Sequence, residues 1–457
     1  MTTVTPERSP EASNSPAQSE SFAEFIRTFA YIGMNSFGGP AGQIAVMHRV
    51  LVDEKQWIDD RRFTHALNFC MMLPGPEATQ LATYVGWLKR GTLGGLIAGL
   101  LFILPGAACM LVLSAIYAAY GSVPLVSGIL LGMKCAVVVL VAKALLRIGK
   151  RVLKTRLALL LAIAALLAQL VLHAPFPVIV AVAALIGLIV GWAAPHALAP
   201  VGEGEARDSV APPPPMPGFG RTCLVAIGWL ALWLIPLGVL TAALSPQHVL
   251  SREAMLFGKS AVVTFGGAYA VLGYIGERAG AENWLTPHDM VSGLALAETT
   301  PGPLILVGQF VAFVGAYRTM PGSMPMLAGV AGAAVFLWAT FVPCFLWIFV
   351  GAPYMERLRA SRWAGSMLAA VSAAVVGVIA HLAIWLLLHT LFGNVEEWGS
   401  GLVRVPAPRW ESFDVAAGAI VVLAAVLMFG MKWPPGRTLL VCAIGGAAWT
   451  LFAIKAL

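Results

Sequence analysis

The segment Ser36-Phe37-Gly38-Gly39-Pro40 interrupts one apolar run, and Leu73-Pro74-Gly75-Pro76 interrupts the next. The same order returns in the second half of the chain. There Thr264-Phe265-Gly266-Gly267-Ala268 is followed by Thr300-Pro301-Gly302-Pro303. Phe37 to Pro74 is 37 positions, and Phe265 to Pro301 is 36. Between the motifs Trp57-Ile58 is matched by Trp284-Leu285. Beyond them Phe102-Ile103-Leu104-Pro105 is matched by Thr340-Phe341-Val342-Pro343. One such pair is weak, because glycine and proline are frequent in membrane helices. Four pairs in one order, with two intervals almost equal, mark an internal duplication.

The composition gives the repeats their setting. Of 457 residues 59% are hydrophobic and 11% charged, with a mean hydropathy of +0.83. A soluble chain carries about 25% charged residues and could not hide so much apolar surface. A disordered chain, a secreted disulfide scaffold and a nucleic-acid-binding domain are excluded. The apolar runs are long and do not alternate, so helices rather than a barrel meet the bilayer. The expected fold is an all-α polytopic membrane protein made of two inverted-topology repeats with broken or re-entrant helices. Thirteen runs satisfy the roughly 20-residue requirement for crossing. They lie near 22–48, 65–88, 93–120, 125–147, 157–172, 176–194, 221–244, 252–275, 289–317, 325–353, 363–391, 412–431 and 438–454.

The repeats open at the first and eighth runs, an odd separation, so the copies are expected to face opposite ways. Basic clusters at Arg147–Arg156, Arg357–Arg362 and Lys432–Arg437 place the amino terminus in the cytoplasm by the positive-inside tendency. The +7 net charge therefore reports orientation rather than a polyanionic partner. Residues 1–21 read as a disordered cytoplasmic tail and 22–194 as the first repeat. The proline-rich stretch 195–220 reads as a cytoplasmic linker, and 221–457 as the second repeat with its core from about 252.

Proline removes an amide donor, and glycine permits backbone shapes that other residues resist, so each motif should break its helix. In hydrocarbon a break is tolerated where protein buries it or a wet cavity accepts it. Helix starts after Gly39, Pro76, Gly267 and Pro303 would present free amides and partial positive charge, a site suited to an anion. Ser36, Thr264, Thr299 and Thr300 add hydroxyls. The same glycines and prolines also serve kinks and close packing. Glu77 and Glu298 stand beside the two Pro-Gly-Pro motifs and would exchange protons, or repel an anion until protonated. Alternatively Glu77 stabilises a helix start and Glu298 is an ordinary hydrogen-bonded group. Gln80 and Gln309 are neutral polar candidates. Lys259, five residues before Thr264, would draw an anion toward the break. Lys134 and Lys143 point to nearly opposite helix faces and cannot both line one path. The histidines and the six cysteines make no metal-ligand spacing, and no nucleotide-binding loop is found. No cofactor and no enzymatic activity are expected.

The combination of Ser-Phe-Gly-Gly-Pro, the tryptophan-containing connection, Leu-Pro-Gly-Pro and their degenerate second copy resembles the chromate ion transporter family, in its long two-domain form. The resemblance covers about residues 22–147 and 252–391. It implies a bacterial inner-membrane carrier that exports chromate, a tetrahedral dianion like sulfate, and confers chromate resistance by antiport or proton-driven efflux. Chromate, with sulfate as the alternative, the lipid bilayer and a second copy of the chain are the partners it implies. The family motif falls on Gly38, Gly39, Pro40, Pro74, Gly75 and Pro76, and on Gly266, Gly267, Pro301, Gly302 and Pro303. Phe37 and Phe265 complete the candidate substrate-binding set. Ala268 replaces the proline of the first copy and Leu304 stands where Glu77 would recur, so the halves are not equivalent.

Overall fold

The computed structural model describes residues 20–193, 198, 218–265, 267–320, 322, 324–354, 362–400 and 403–456. The expected tail 1–21 and linker 195–220 fall almost wholly outside these residues, as do Gly266, Arg357 and Arg359. The described chain is all-α apart from one two-stranded hairpin, β1 (Val395–Ser400) against β2 (Val403–Pro408).

Each Phe-Gly-Gly motif divides its apolar run. Helix α1 (Phe22–Asn35) gives way to α2 (Gly39–His48), and α9 (Val249–Val263) to α10 (Ala268–Ala281). At roughly 1.5 Å per residue, α1 is about 21 Å long and α2 about 15 Å, so neither alone crosses about 30 Å of hydrocarbon. The Pro-Gly-Pro motifs separate α3 (Asp60–Met72) from α4 (Glu77–Tyr120), and α11 (Pro287–Thr299) from α12 (Val307–Thr319).

The backbone of α4 is not one rod. Arg90 and Gly91 leave helical geometry, Gly91 at φ +62°. A Cβ on Gly95 would come within 3.0 Å of the Thr83 carbonyl oxygen, and one on Gly86 within 2.5 Å of the Ala98 Cβ. The arms 77–89 and 92–120 therefore fold back on each other. The turn falls between the expected runs near 65–88 and 93–120, but the count of crossings departs from thirteen. Seven helices among the described residues are long and apolar enough to cross, and they count α4 once. The runs near 22–48, 65–88, 252–275 and 289–317 are pairs of short helices meeting at a break.

The remaining helices are α5 (Pro124–Val152), α6 (Arg156–Leu172), α7 (Phe176–Ala193), α8 (Phe219–Ala243), α13 (Pro325–Gly351), α14 (Arg362–Leu391), α15 (Val415–Ala425) and α16 (Pro435–Ala456). The halves interlock reciprocally. In the first, α6 and α7 pack on α14 of the second. In the second, α15 and α16 pack on α5 of the first. Small residues allow the approach. A Cβ on Gly132 of α5 would lie 1.8 Å from the carbonyl oxygen of Cys442 in α16, and one on Gly187 of α7 would lie 2.6 Å from the Cα of Met367 in α14. A common core of alanine, valine, leucine, phenylalanine and isoleucine runs through both halves.

Candidate functional site

Four helices begin at the four motifs, and none has a side chain capping its first amides. The N-cap positions are Gly38 for α2, Pro76 for α4, Gly267 for α10 and Pro303 for the 3-10 turn Leu304–Leu306 that leads into α12. Side chains cap α1 (Ser21), α3 (Asp59), α6 (Thr155), α9 (His248), α11 (Thr286) and α15 (Asp414), whereas α5, α8 and α13 also start without one, so the four motif starts are set apart by meeting at the breaks and not by the missing cap alone. Uncapped first-turn amides carry partial positive charge and need acceptors.

The chain takes the same turns in both copies. Ser36 (φ −84°, ψ 74°) and Thr264 (φ −76°, ψ 87°) both close inverse γ-turns, with Phe37 donating to the Asn35 carbonyl at 3.1 Å and Phe265 to that of Val263 at 3.0 Å. Leu73 and Thr300 end their helices at near-identical angles. Gly38, Gly39, Gly75, Gly267 and Gly302 all have positive φ, a backbone shape that disfavours any Cβ.

The breaks are tied to one another across the repeats. The amide of Gly75 donates to the Thr264 carbonyl at 2.8 Å, and the amide of Gly302 donates to the Ser36 carbonyl at 3.0 Å. The Pro-Gly-Pro of each half thus closes on the Phe-Gly-Gly of the other. The fourth motif pair obeys the same exchange. Gly106, after Pro105, would with a Cβ meet the Pro301 carbonyl at 2.2 Å, while Cys344, after Pro343, lies where a Cβ on Gly75 would meet its sulfur at 3.2 Å. Gln43 Nε2 adds a bond to the Gly302 carbonyl at 2.6 Å.

Two carboxyl groups reach this knot. Glu298 is buried and accepts from the Tyr269 hydroxyl at 2.6 Å. That hydroxyl would be 3.5 Å from a Cβ on Gly39, and Glu77 Oε1 would be 3.9 Å from one on Gly267. Both acids therefore lie beside a Phe-Gly-Gly break. Gln80 and Gln309 are buried, but their amide groups are committed to the carbonyls of Pro74 (2.7 Å) and Ala107 (3.0 Å). Each thus spends a donor of its amide nitrogen on the protein backbone and leaves its carbonyl oxygen unpartnered. They brace the breaks. The Ser36, Thr264 and Thr300 hydroxyls are likewise bound to carbonyls of their own helices, those of Ile32, Ser260 and Ala297, which leaves the backbone amides of the helix starts as the main donors for a ligand. Pro40 and Pro74 are half-buried, Pro76, Pro301 and Pro303 buried, Phe265 half-buried and Phe37 exposed. Lys259 is not brought to the group. It lies on the exposed stripe of α9 with Met255 and Val262, opposite the packed residues Phe257, Ser260 and Ala261.

A second polar cluster carries no repeated motif and escapes a reading by repeats. Buried Lys134 of α5 contacts His288, while Asp289 accepts two bonds from Arg318 (2.6 and 3.0 Å) and one from Tyr117 (2.5 Å). It joins α4, α5, α11 and α12. The one local signal is Thr286-x-x-Asp289, a capping box that reads as a helix start. Among the described residues no three histidine, cysteine or acidic side chains group for a metal.

Comparison with known proteins follows the duplication. One family model, described as chromate transporter, matches the chain twice, over residues 23–188 and 253–449. A chromate transport protein of Pseudomonas aeruginosa is 29% identical over 436 residues, covering 94% of this chain and 93% of its own. A probable chromate transport protein of Synechococcus elongatus is 27% identical over 413 residues, covering 88% of this chain and 95% of its own. A chromate transport protein of Cupriavidus metallidurans is 27% identical over 358 residues, covering 78% and 80%. No solved structure matches the chain significantly. The two matched stretches begin where the repeats begin and extend them to residues 188 and 449.

Proposed function

The chain belongs to the chromate transporter family, and from that premise we propose that it is a secondary active carrier exporting chromate by alternating access, so conferring chromate resistance. The carrier would sit in a bacterial inner membrane with its amino terminus in the cytoplasm. Its halves, 22–194 and 221–457, would form inverted repeats joined through 195–220. The observation that carries the reading is the set of four uncapped helix starts, tied together by reciprocal bonds between the halves. A tetrahedral dianion offers several acceptor oxygens to such amides at once. Rocking one half against the other would turn the shared site from one face of the membrane to the other.

Glu77 occupies the first turn of α4, the place where an anion would meet that helix. Ionised, it fills the positive end of the helix itself; protonated, it yields that end to the substrate. Anion binding and proton binding are then linked at one helix start, and Glu298 with Tyr269 would stand as the second such group.

Labelled chromate uptake into vesicles carrying the protein tests the reading. Uptake should saturate and should collapse when an uncoupler removes the proton gradient. Flux that persists without any ion gradient, insensitive to substrate on the far side, would mark a passive channel and overturn the carrier. Glu77→Gln should flatten the pH dependence of uptake; an unchanged profile would remove Glu77 from the coupling. Backbone amides read charge and shape rather than element, which favours sulfate as the alternative substrate. Sulfate that competes with chromate at equal concentration would broaden the assignment to tetrahedral oxyanions.

A further inference from the structure

Glu253 lies in the first half of α9, wholly buried, and among the described residues neither of its carboxyl oxygens has a hydrogen-bond or ion-pair partner. Its Oε2 presses on α13, where a Cβ at Gly332 would come within 2.9 Å of it. The same Cβ would lie 2.5 Å from the Ala312 carbonyl oxygen of α12. The helices packed on α9 are α8, α10, α12 and α13. Their charged residues are Arg221 on α8, Glu277 and Arg278 on α10 and Arg318 on α12, and α13 has none. Their other titratable groups are Cys223, Tyr269, Tyr274, Tyr317 and Cys344. None of these bonds to Glu253. Arg318 is held by Asp289, Arg252 by Glu282, and Tyr269 by Glu298. An isolated ion in such surroundings is far too costly to persist, and a carboxyl is accommodated there as the neutral acid.

The fold does not ask for an acid at this place. Counting back 11 positions from Thr264 gives Glu253, and the same count from Ser36 gives Phe25, a fully buried core residue of α1. Where one half packs an aromatic ring, the other keeps a carboxyl with nothing to bind it. Eleven residues of helix put it roughly 16 Å from the break. It is therefore apart from the anion site but on the helix that leads into it, and it faces the two helices that follow the Pro-Gly-Pro of the same half.

We propose that Glu253 is a proton-binding site of the carrier, separate from the anion site. Movement of α9 against α12 and α13 would open the carboxyl to water, where it releases its proton as a hydronium ion. Closing requires that it take one proton back. The proposal rests on the carrier reading given above.

The test uses the full chain in proteoliposomes, with labelled chromate outside and a pH-sensitive dye inside. Wild type should move chromate and protons together. Glu253→Gln and Glu253→Leu should retain chromate exchange between the two sides and move fewer protons per chromate than wild type. Glu253→Leu should also keep or raise the thermal midpoint, which a structural role for the acid would lower. An infrared band of a protonated carboxyl should be present in the wild type and absent from Glu253→Gln, a readout that does not depend on transport. A proton-to-chromate ratio unchanged in both variants would overturn the proposal while leaving the carrier intact. A wild type that moves no chromate would instead overturn the carrier reading.

Discussion

Single side chains hold this site by bonds that can be counted. The Tyr269 hydroxyl is the one donor to Glu298 among the described residues. Tyr269→Phe strands a buried acid and should cost about 1–3 kcal/mol, seen as a lower thermal midpoint of the solubilised protein. Little change would place another donor on Glu298. His48 offers a pH test away from the breaks. Its imidazole meets Asp60 at 2.6 Å and Asp53 at 3.4 Å, and these carboxylates, the Asp60 hydrogen bond foremost, raise it above the ordinary 6.5 against a smaller opposing effect of burial. A raised folded-state value stabilises fully below pH 6.5 and loses that effect as pH climbs through the folded value. The stability gap between wild type and His48→Gln should therefore be widest below pH 6.5 and close in mildly alkaline buffer. A gap that widens with pH would contradict the pairing. The motif glycines and prolines, and Glu77 and Glu298, were legible in the sequence because backbone-breaking residues recur at matched intervals. Glu253 was not. Next to Ser251 and Arg252 it reads as the polar opening of a helix, and only packing shows that it points inward.

At the scale of the element, hydropathy located the apolar stretches but not their number of crossings. A window of about 20 residues averages over a break, so α1 with α2, or α11 with α12, each reads as one span. The fold-back at Arg90–Gly91 was legible, because two charged residues beside a glycine divide the runs near 65–88 and 93–120. The half-helices that meet at the motif breaks are short, and four of their starts make up the candidate site. Helix contacts of the long spans depend on small residues in a way open to measurement. A methyl on Gly132 cannot coexist with the Cys442 carbonyl at 1.8 Å, so Gly132→Ala must separate α5 from α16. Overpacking of this kind costs about 1–3 kcal/mol. Gly445→Ala, on α16 with nothing within 4 Å, should cost far less. Equal losses of folded protein for the two would show that this contact does not hold the halves together.

Over the whole molecule the duplication organises everything else. Each half supplies two broken helices, and each break is completed by a backbone amide bond from the other half. The long helices repeat the exchange, α7 on α14 and α16 on α5. Neither half closes its own site, which makes the interface between them the place where substrate would bind and motion would be read out. The sequence carried the pairing of motifs but not their crossing-over, since intervals along a chain do not say which copy meets which. The central claim is that backbone amides at the four helix starts hold the anion. A structure of the protein with chromate bound tests it most directly. Density for a tetrahedral ion should lie within hydrogen-bond distance of amides that follow Gly38, Pro76, Gly267 or Pro303, between the halves. Density held instead by Lys134, His288 and Arg318, with the four helix starts empty, would contradict it.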